Sequence, residues 1–282
     1  MVSGSGGAAS LGRTVSTRIW SARLGLKMHH GGLSSAHGVM IMSPSDIRYR
    51  RPGTPSVPLA VTPTLASWDR HDHPSQRALS AFLDSLEPLM RPALQQLASP
   101  AVLALDIGLP KGSQLTSGGR DLDNYLFPIV ARFGAARFAA VFARKHHGRS
   151  TIAIGPAQLA ADEPPGHWAH GSALLTVSSV TAAWKQQLVA GLAASTDVQL
   201  VPPGPVAVHL AFRVGPDRNW ANLWKPAIDA LGGVLGVDNP AKPFDPRDDR
   251  ITDLGLQQSI DPRIGHAVQV DVWWRSADQE RW

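Results

Sequence analysis

Two aspartates in the first half of the chain have the spacing that metal chemistry requires. Asp121 and Asp123 stand two residues apart before a predicted helix, and in an extended segment such residues point the same way. Their hard carboxylate oxygens suit Mg²⁺, which can activate water and stabilise the charge that develops on a phosphodiester during cleavage. An ordinary helix start is the alternative, because acidic residues also stabilise a helix at its N-terminal end.

The second half carries further charged residues that could take part in the same chemistry. Asp248 and Asp249 lie in a polar loop over residues 238–250, and Lys225 lies in a second predicted helix. One acid of the pair could complete a metal site, and the lysine could contact a scissile phosphate as a point charge. A solvated acidic loop and a surface lysine are the alternative interpretations.

The two predicted helices belong to stretches that repeat one pattern. Four residues of the first stretch recur 98 residues later as the same residue type: Arg120, Asn124, Pro128 and Gly134 correspond to Arg218, Asn222, Pro226 and Gly232. In each copy we expect the Asn to cap the helix, the Pro to lie near its first turn and the Gly to end it. The acids do not recur, since Asn219 and Ala221 replace Asp121 and Asp123. The pattern predicts an internal duplication, although helix punctuation can also recur by chance.

The segments around these residues predict a mixed α/β (α+β) fold. Residues 75–97 have apolar positions at helical spacing, and residues 101–109 and 206–214 have the pattern of strands. A hairpin is expected over residues 137–154, with its turn at Gly148. We therefore expect tandem modules, each a small mixed sheet with two helices, that form a pseudo-dimer within one chain.

The composition divides the chain into three parts. Residues 1–52 form a basic leader without helical or strand periodicity, which we expect to be disordered. Two features place the modules at residues 53–165 and 166–282: the start of apolar periodicity and the Pro-rich linker over 155–166. For the leader, a translation start placed too early, a basic nucleic-acid arm and a targeting segment are the alternatives.

The positive charge of the chain is concentrated in that leader. The whole chain has 27 Lys and Arg against 22 Asp and Glu, a net charge of +5. Seven of the basic residues, but only Asp46 among the acidic ones, lie within residues 1–51, so the remainder is nearly neutral. A polyanionic partner such as DNA is consistent with the net charge, whereas the nearly neutral remainder argues against strong unspecific DNA binding.

The absence of cysteine excludes disulfides, thiol nucleophiles and cysteine-ligated zinc. Any catalytic metal would therefore be held by carboxylates, carbonyls or histidines. No apolar run approaches the ~18 residues of a membrane-spanning helix, and the first residues do not have the pattern of a secretory signal. We expect no membrane partner and a cytoplasmic location.

Residues 205–236, followed by the acid pair at 248–249, resemble the RusA family of Holliday-junction resolvases. The stretch begins with an alternating strand, Val-Ala-Val-His-Leu-Ala-Phe-Arg, and continues with Asn-Leu-Trp-Lys-Pro-Ala-Ile-Asp-Ala-Leu over residues 222–231. The family pattern is Asp-x-Asp-Asn-Leu-x-Lys, a helix and then Asp-Asp. The resemblance covers residues 172–275, and it extends weakly over residues 57–155 through Arg-Asp-Leu-Asp-Asn.

The resemblance implies a small magnesium-dependent endonuclease that acts as a dimer on branched DNA. A duplicated chain would then correspond to such a dimer fused end to end, present as a monomeric pseudo-dimer or as a homodimer. The implied catalytic residues are Asp121, Asp123, Lys225, Asp248 and Asp249, with Mg²⁺ bound by Asp121, Asp123 and Asp249. The candidate nucleic-acid contacts are four nearby basic residues, Arg120, Arg144, Lys145 and Arg218.

Neither half contains the complete family pattern. The second half lacks both leading aspartates, and in the first half Phe127 replaces the lysine. The first half also has no acid between Asp123 and Asp162, so it has no counterpart of the Asp-Asp pair. The sequence leaves three hypotheses: an active nuclease whose halves pool their carboxylates, an inactive nucleic-acid- or protein-binding module of the same fold, and an unrelated α/β protein.

Overall fold

A computed structural model of the protein describes five stretches of the chain, and all of them belong to one compact unit. These stretches are residues 48–66, 69–70, 73–98, 100–160 and 168–277. Residues 1–47, which make up nearly the whole predicted leader, lie outside the described residues, as do residues 161–167 of the predicted linker. The predictions made for those residues stay predictions.

The described residues contain eight strands and five helices. The first half contains β1 (Val57–Pro58), α1 (Pro74–Gln96), β2 (Ala101–Leu109), α2 (Leu122–Phe133), β3 (Phe138–His147) and β4 (Thr151–Pro156). The second half contains β5 (Ala169–Leu175), α3 (Ala182–Ser195), β6 (Val206–Val214), α4 (Trp224–Asp229), α5 (Gly232–Leu235), β7 (Ile251–Ile260) and β8 (Val268–Ser276). Short 3₁₀ turns lie between these elements at Ala135–Arg137, Trp220–Leu223, Asp248–Arg250 and Pro262–Ile264.

All eight strands form a single sheet in the order β1-β4-β2-β3-β7-β6-β8-β5. Two pairs are parallel, β2 with β3 and β6 with β7, and the other neighbours are antiparallel. Each half thus contributes four strands with the same pairings, and the two sets meet at the antiparallel pair β3–β7. The predicted mixed α/β fold is confirmed, but its strands form one continuous sheet.

The helices cover one face of this sheet, where the strand residues at every second position are apolar. These residues and the buried faces of the helices form one core, to which β2 contributes its odd-numbered residues and β6 its even-numbered residues. The buried residues of α1 have the predicted helical spacing: Leu79, Phe82, Leu86, Met90 and Leu94. Four buried tryptophans of the second half belong to the same core: Trp184, Trp220, Trp224 and Trp274. No helix in the five described stretches is long and apolar enough to cross a lipid bilayer.

The other face of the sheet is partly covered by residues 48–52, which the sequence assigns to the leader. Arg51 lies 3.1 Å from Asp106 on β2 and 3.0 Å from Asp253 on β7, measured between guanidinium nitrogens and carboxylate oxygens. The backbone N–H of Tyr49 donates to the side chain of Gln257 on β7. Because β2 and β7 belong to different halves, this short segment ties the halves together on that face. The predicted disorder therefore does not extend to residue 52.

The hairpin expected over residues 137–154 is wrong. β3 and β4 do not pair with each other, because they lie on opposite sides of β2. The connection between them crosses the end of β2, where the N–H of Gly148 donates to the carbonyl of Leu109. The connection from β7 to β8 crosses the end of β6 in the same way, and the N–H of Asp261 donates to the carbonyl of Val214. Local periodicity shows that two strands follow each other, but not that a third lies between them.

The repeated residues begin and end the helices only partly as predicted. Gly134 has a φ of 94° and ends α2 as expected. Gly232 instead begins the short helix α5, and the left-handed residue that ends this helix is Gly236, with a φ of 82°. The cap of the Trp220–Leu223 turn is Asn219, not the repeated asparagine three residues later, and its side chain accepts from the N–H of Ala221. The repeat therefore preserves residue types more closely than their structural roles.

The crossings over β2 and β6 leave no room for a side chain at two glycines. A Cβ at Gly108 would lie 2.2 Å from the carbonyl oxygen of Gly148, and one at Gly215 would lie 2.6 Å from that of Gly265. We predict that Gly108→Ala and Gly215→Ala each lower the free energy of unfolding by about 1–3 kcal/mol, because the crossing backbone must shift. Gly53→Ala, where a Cβ has open space, is the control. Urea unfolding followed by circular dichroism measures the difference, and equal stability of all three variants would contradict the crossings.

Candidate functional site

The strand order brings the two groups of acids to one edge of the sheet. β2 and β3 are parallel, so the loop that follows β2 and leads to Asp121 starts at the edge where β3 ends. β3 and β7 are antiparallel, with Arg144 beside Asp253, so the end of β3 lies next to the start of β7. Asp248 and Asp249 immediately precede β7. Residues far apart in the sequence therefore meet where β2 and β3 end and β7 begins.

Lys145, the eighth residue of β3, joins the two groups directly. Its side chain is almost fully buried, and its Nζ donates to the carbonyl oxygen of Arg120 at 3.1 Å and to that of Asp249 at 2.7 Å. A single ammonium thus ties the loop before α2 to the turn before β7. Burial lowers the pKa of Lys145 to about 8, although the charges of Asp121 and Asp249 oppose this shift.

Asp121 and Asp123 lie in surroundings that disfavour their charged forms. Asp121 is the cap residue of α2, and Asp123 in the first turn is only 4% exposed. Burial, reinforced by the charge of Asp248, raises the pKa of Asp121 to about 6. Burial also raises the pKa of Asp123 to about 7, against the attraction of Lys225. Such displaced pKa values are typical of groups at functional sites.

Lys225 lies in a row of alternating charges beside these acids. Its Nζ is 2.7 Å from a carboxylate oxygen of Asp248 and 3.1 Å from one of Asp229, whose other oxygen accepts from Lys185 at 2.6 Å. Burial opposes the charge of Lys225, but the attraction of Asp248 and Asp123 outweighs it and raises the pKa of Lys225 above its ordinary value. This lysine therefore remains protonated at neutral pH.

Arg250 fixes the turn that carries Asp248 and Asp249. Its buried guanidinium donates to four backbone carbonyls, those of Val201, Pro202, Gly204 and Leu235. Buried carbonyls need such donors, so this arginine anchors the turn to the core below it. The sequence analysis missed Arg250, because nothing in the local sequence shows that an arginine beside two acids points away from them.

An open cavity of about 900 Å³ lies in front of these groups. Residues of both halves line it, and the charged ones are Asp121, Asp123, Lys185, Arg218, Lys225 and Asp229. Its apolar wall includes Phe127 and Trp224, whose rings meet edge to face with their centroids 6.4 Å apart. Carboxylates that suit a cation therefore face the same space as cations that suit a phosphate.

The predicted catalytic residues interact with one another across the two halves. The charges of Asp248, Lys225 and Asp249 act on Asp121, and those of Lys225 and Asp248 act on Asp123. Lys185 and Asp229, which extend this group, were not predicted as site residues. For Asp229 the signal was its position four residues after Lys225 on one helix, where opposite charges pair.

The predicted nucleic-acid contacts point in different directions. Arg218 lines the cavity, where its guanidinium donates to the hydroxyl of Ser179 at 2.8 Å. Arg120 turns its guanidinium toward a carbonyl in its own exposed loop. Lys145 is buried among the five predicted catalytic residues, and together these six residues are here named the charged site. Arg144, its neighbour in β3, pairs with Asp106 on the other face of the sheet. The DNA contacts of these four residues stay a prediction.

Magnesium also stays a prediction, and the residues present fit it in part. In the part of the chain that the structure describes, no group of three or more acidic or histidine side chains is arranged to hold a metal ion. Mg²⁺ is often bound by only one or two protein carboxylates together with water and substrate phosphates. Oδ2 of Asp121 accepts from Asn124, whereas its Oδ1 is buried without a partner among the described residues. That oxygen and the buried carboxyl of Asp123 suit a hard cation without Asp249 as a third ligand.

No protein-family model matches the sequence, and no curated protein is significantly similar to it. The likeness to the RusA family remains a resemblance that rests on the quoted residues.

The raised pKa of Asp123 leads to a prediction for stability. Its carboxyl has a pKa of about 7 when folded and ~4 when unfolded, so the folded state binds the proton more tightly and stability falls as the pH rises through this interval. We expect Asp123→Asn to lack this loss and to raise the free energy of unfolding at pH 8 by roughly 1–3 kcal/mol in metal-free buffer. Urea unfolding at about pH 5 and pH 8 with a chelator present measures the effect.

The matched control for this experiment is Asp197→Asn, which changes an exposed aspartate that does not line the cavity. It should leave the pH dependence unchanged. A destabilised Asp123→Asn variant at pH 8 would show that the buried charge stabilises the fold rather than opposing it.

Proposed function

We propose that this chain is a magnesium-dependent endodeoxyribonuclease of RusA-like fold that acts on branched DNA, with a charged site assembled from both halves. The observation that carries the proposal is the ammonium of Lys145, which binds the carbonyls of Arg120 and Asp249 and so holds Asp121 beside the acid pair. Each half alone lacks part of the family pattern, and each supplies what the other lacks.

We further propose that the halves are tandem copies of one module, equivalent to a dimer fused end to end. Both halves have the element order strand–helix–strand–helix–strand–strand and the same strand pairings, except that the second half has the additional short helix α5. Ala101 and Val206, which begin β2 and β6, are 105 residues apart, whereas the repeated helix residues are 98 apart. The loop after β2 has 12 residues (110–121) and the loop after β6 only five (215–219), which accounts for the difference.

In this proposal Asp121 and Asp123 hold the cation, and Lys225 contacts the phosphate that is cleaved. A bound magnesium ion supplies Lewis acidity, which activates water and offsets charge on the phosphate. Lys225 is half exposed and stays protonated beside Asp248 and Asp229, so it can donate to a phosphate oxygen. The negative charge of both leading aspartates, unfavourable when buried alone, becomes favourable beside a divalent cation.

A second candidate function is an inactive module of the same fold that binds nucleic acid or protein. The observation that favours it is the lack of any three-carboxylate or histidine group suited to a metal among the described residues. The ammonium of Lys225, moreover, is already paired with two carboxylates.

Cleavage of an end-labelled four-way junction distinguishes these functions. We expect the purified full chain to cut the junction with Mg²⁺, to be inactive with a chelator and to leave a linear duplex uncut. Asp121→Asn should slow cleavage by roughly 100-fold or more, since even indirect changes at metal sites cost about 10–100-fold.

Asp197→Asn is again the matched control and should cut at the wild-type rate. Cleavage that survives Asp121→Asn would refute the assigned site. Junction binding without any cleavage by the wild type, weakening as salt rises, would support the inactive module instead.

Cation affinity should depend on pH through the same aspartates. With pKa values of about 6 and 7, Asp121 and Asp123 are mostly protonated near pH 5 and ionised near pH 8, and a divalent cation binds the ionised forms. We expect the affinity for Mn²⁺, used as a probe, to rise about tenfold or more between these pH values and to release protons on binding. Titration calorimetry in two buffers of different ionisation enthalpy measures both quantities, and an affinity independent of pH would exclude these carboxyls as the ligands.

A further inference from the structure

The fold contains a second place built like the charged site, from the equivalent segments of the opposite halves. At the charged site the cap before α2, the turn before β7 and the eighth residue of β3 meet. The equivalent segments are the cap before the Trp220–Leu223 turn, the Ala135–Arg137 turn before β3 and the eighth residue of β7. The residues at this second place, here named the neutral site, are Asn219, Ala221, Ala135, Ala136 and Gln258.

The segments of the neutral site also meet in space. Nε1 of Trp220 donates to the carbonyl of Ala135 at 3.0 Å, and Nε2 of Gln258 donates to that of Phe138 at 2.7 Å. Its turn is anchored by Arg137, which donates to a backbone carbonyl of α1 as Arg250 does to carbonyls below the charged site. A cavity of about 570 Å³ opens beside these groups, and its lining includes Ala135, Ala136, Arg218, Asn219, Trp220 and Gln258.

Five charged residues of the charged site have uncharged residues at the equivalent positions of the neutral site. Asn219 and Ala221 are at the positions equivalent to Asp121 and Asp123. Ala135 and Ala136 are equivalent to Asp248 and Asp249, and Gln258 is equivalent to Lys145. These positions therefore offer no carboxylate to bind a hard cation. The cavity beside these positions is lined by Asp217 as well as by Arg218 and Asn219. The absence of the four acids still lowers the repulsion of a phosphodiester backbone, to which Arg218 and the amide of Asn219 can donate.

We infer that the neutral site holds the backbone of a DNA strand without cutting it, so that one bound chain makes a single incision in a branched junction. The inference rests on the proposed function, because the charged site must cut for the count of incisions to have meaning. The geometry that carries it is the pair of equivalent places, both built across the halves, only one of which has the four acids and the buried lysine.

A supercoiled plasmid with an extruded cruciform counts the incisions. A single incision gives a nicked circle, whereas paired incisions across the junction give a linear molecule. With the chain at a concentration where light scattering gives the mass of one chain, and with plasmid in excess, we expect nicked circles to exceed linear molecules at least tenfold in the first turnover. Linear molecules that form without a nicked intermediate would overturn the inference.

The number of bound ions tests the difference between the charged site and the neutral site in an experiment that does not require cleavage. We expect titration calorimetry to give one Mn²⁺ per chain, lost in Asp121→Asn, and two ions per chain would overturn the inference. If the plasmid is not cut at all, the proposed nuclease function fails, while the ion count still decides whether the second place lacks a cation.

A charge placed at the neutral site tests strand binding there. Ala136 is exposed, so Ala136→Glu should fold normally and weaken junction binding about tenfold by repelling phosphate. Ala194→Glu, at an exposed position that lines neither cavity, is the matched control. Equal affinity of the two variants for the junction would show that no DNA strand binds at the neutral site.

Discussion

One buried ammonium group holds the candidate site together. Lys145 is almost fully buried, and its two carbonyl partners belong to different halves of the chain. A buried charge is tolerated only when it is paired and hydrogen-bonded, so the positions of Arg120 and Asp249 are constrained by the need to satisfy this group. The loop before α2 and the turn before β7 are consequently held beside each other, and their carboxylates act on one another electrostatically.

The carboxylates of Asp121 and Asp123 lie in buried surroundings that disfavour their charged forms. Burial raises the pKa of both Asp121 and Asp123, and the nearby acid pair adds like charge rather than relief. Residues selected for stability alone would not concentrate buried negative charge in this way, whereas a site that binds a cation requires it. The protonated Lys225 and the anchoring by Arg250 restrain the group without neutralising it.

The strand order explains why neither half has the complete residue pattern. Because the halves join through β3 and β7, each equivalent place takes its leading residues from one half and its turn from the other. Asn219 and Ala221 therefore belong to the place with the Ala135–Arg137 turn, although they also line the cavity that contains Asp121. Under the proposed duplication, the two copies were free to diverge in complementary ways, with charge retained at one place and removed from the other.

The sequence by itself determined the local elements and the chemistry of the candidate residues. Apolar spacing placed α1, β2 and β6, because helices and strands differ in period, and the residue types marked Asp121, Asp123, Lys225 and the acid pair for phosphate chemistry. Only the tertiary structure decided that β2 lies between β3 and β4. It also decided that Lys145 is buried and joins the loop before α2 to the turn before β7, and that the neutral site exists. A strand has the same period whichever strand lies beside it, so its neighbours depend on burial across the whole sheet, and pairings over a hundred residues apart leave no local trace.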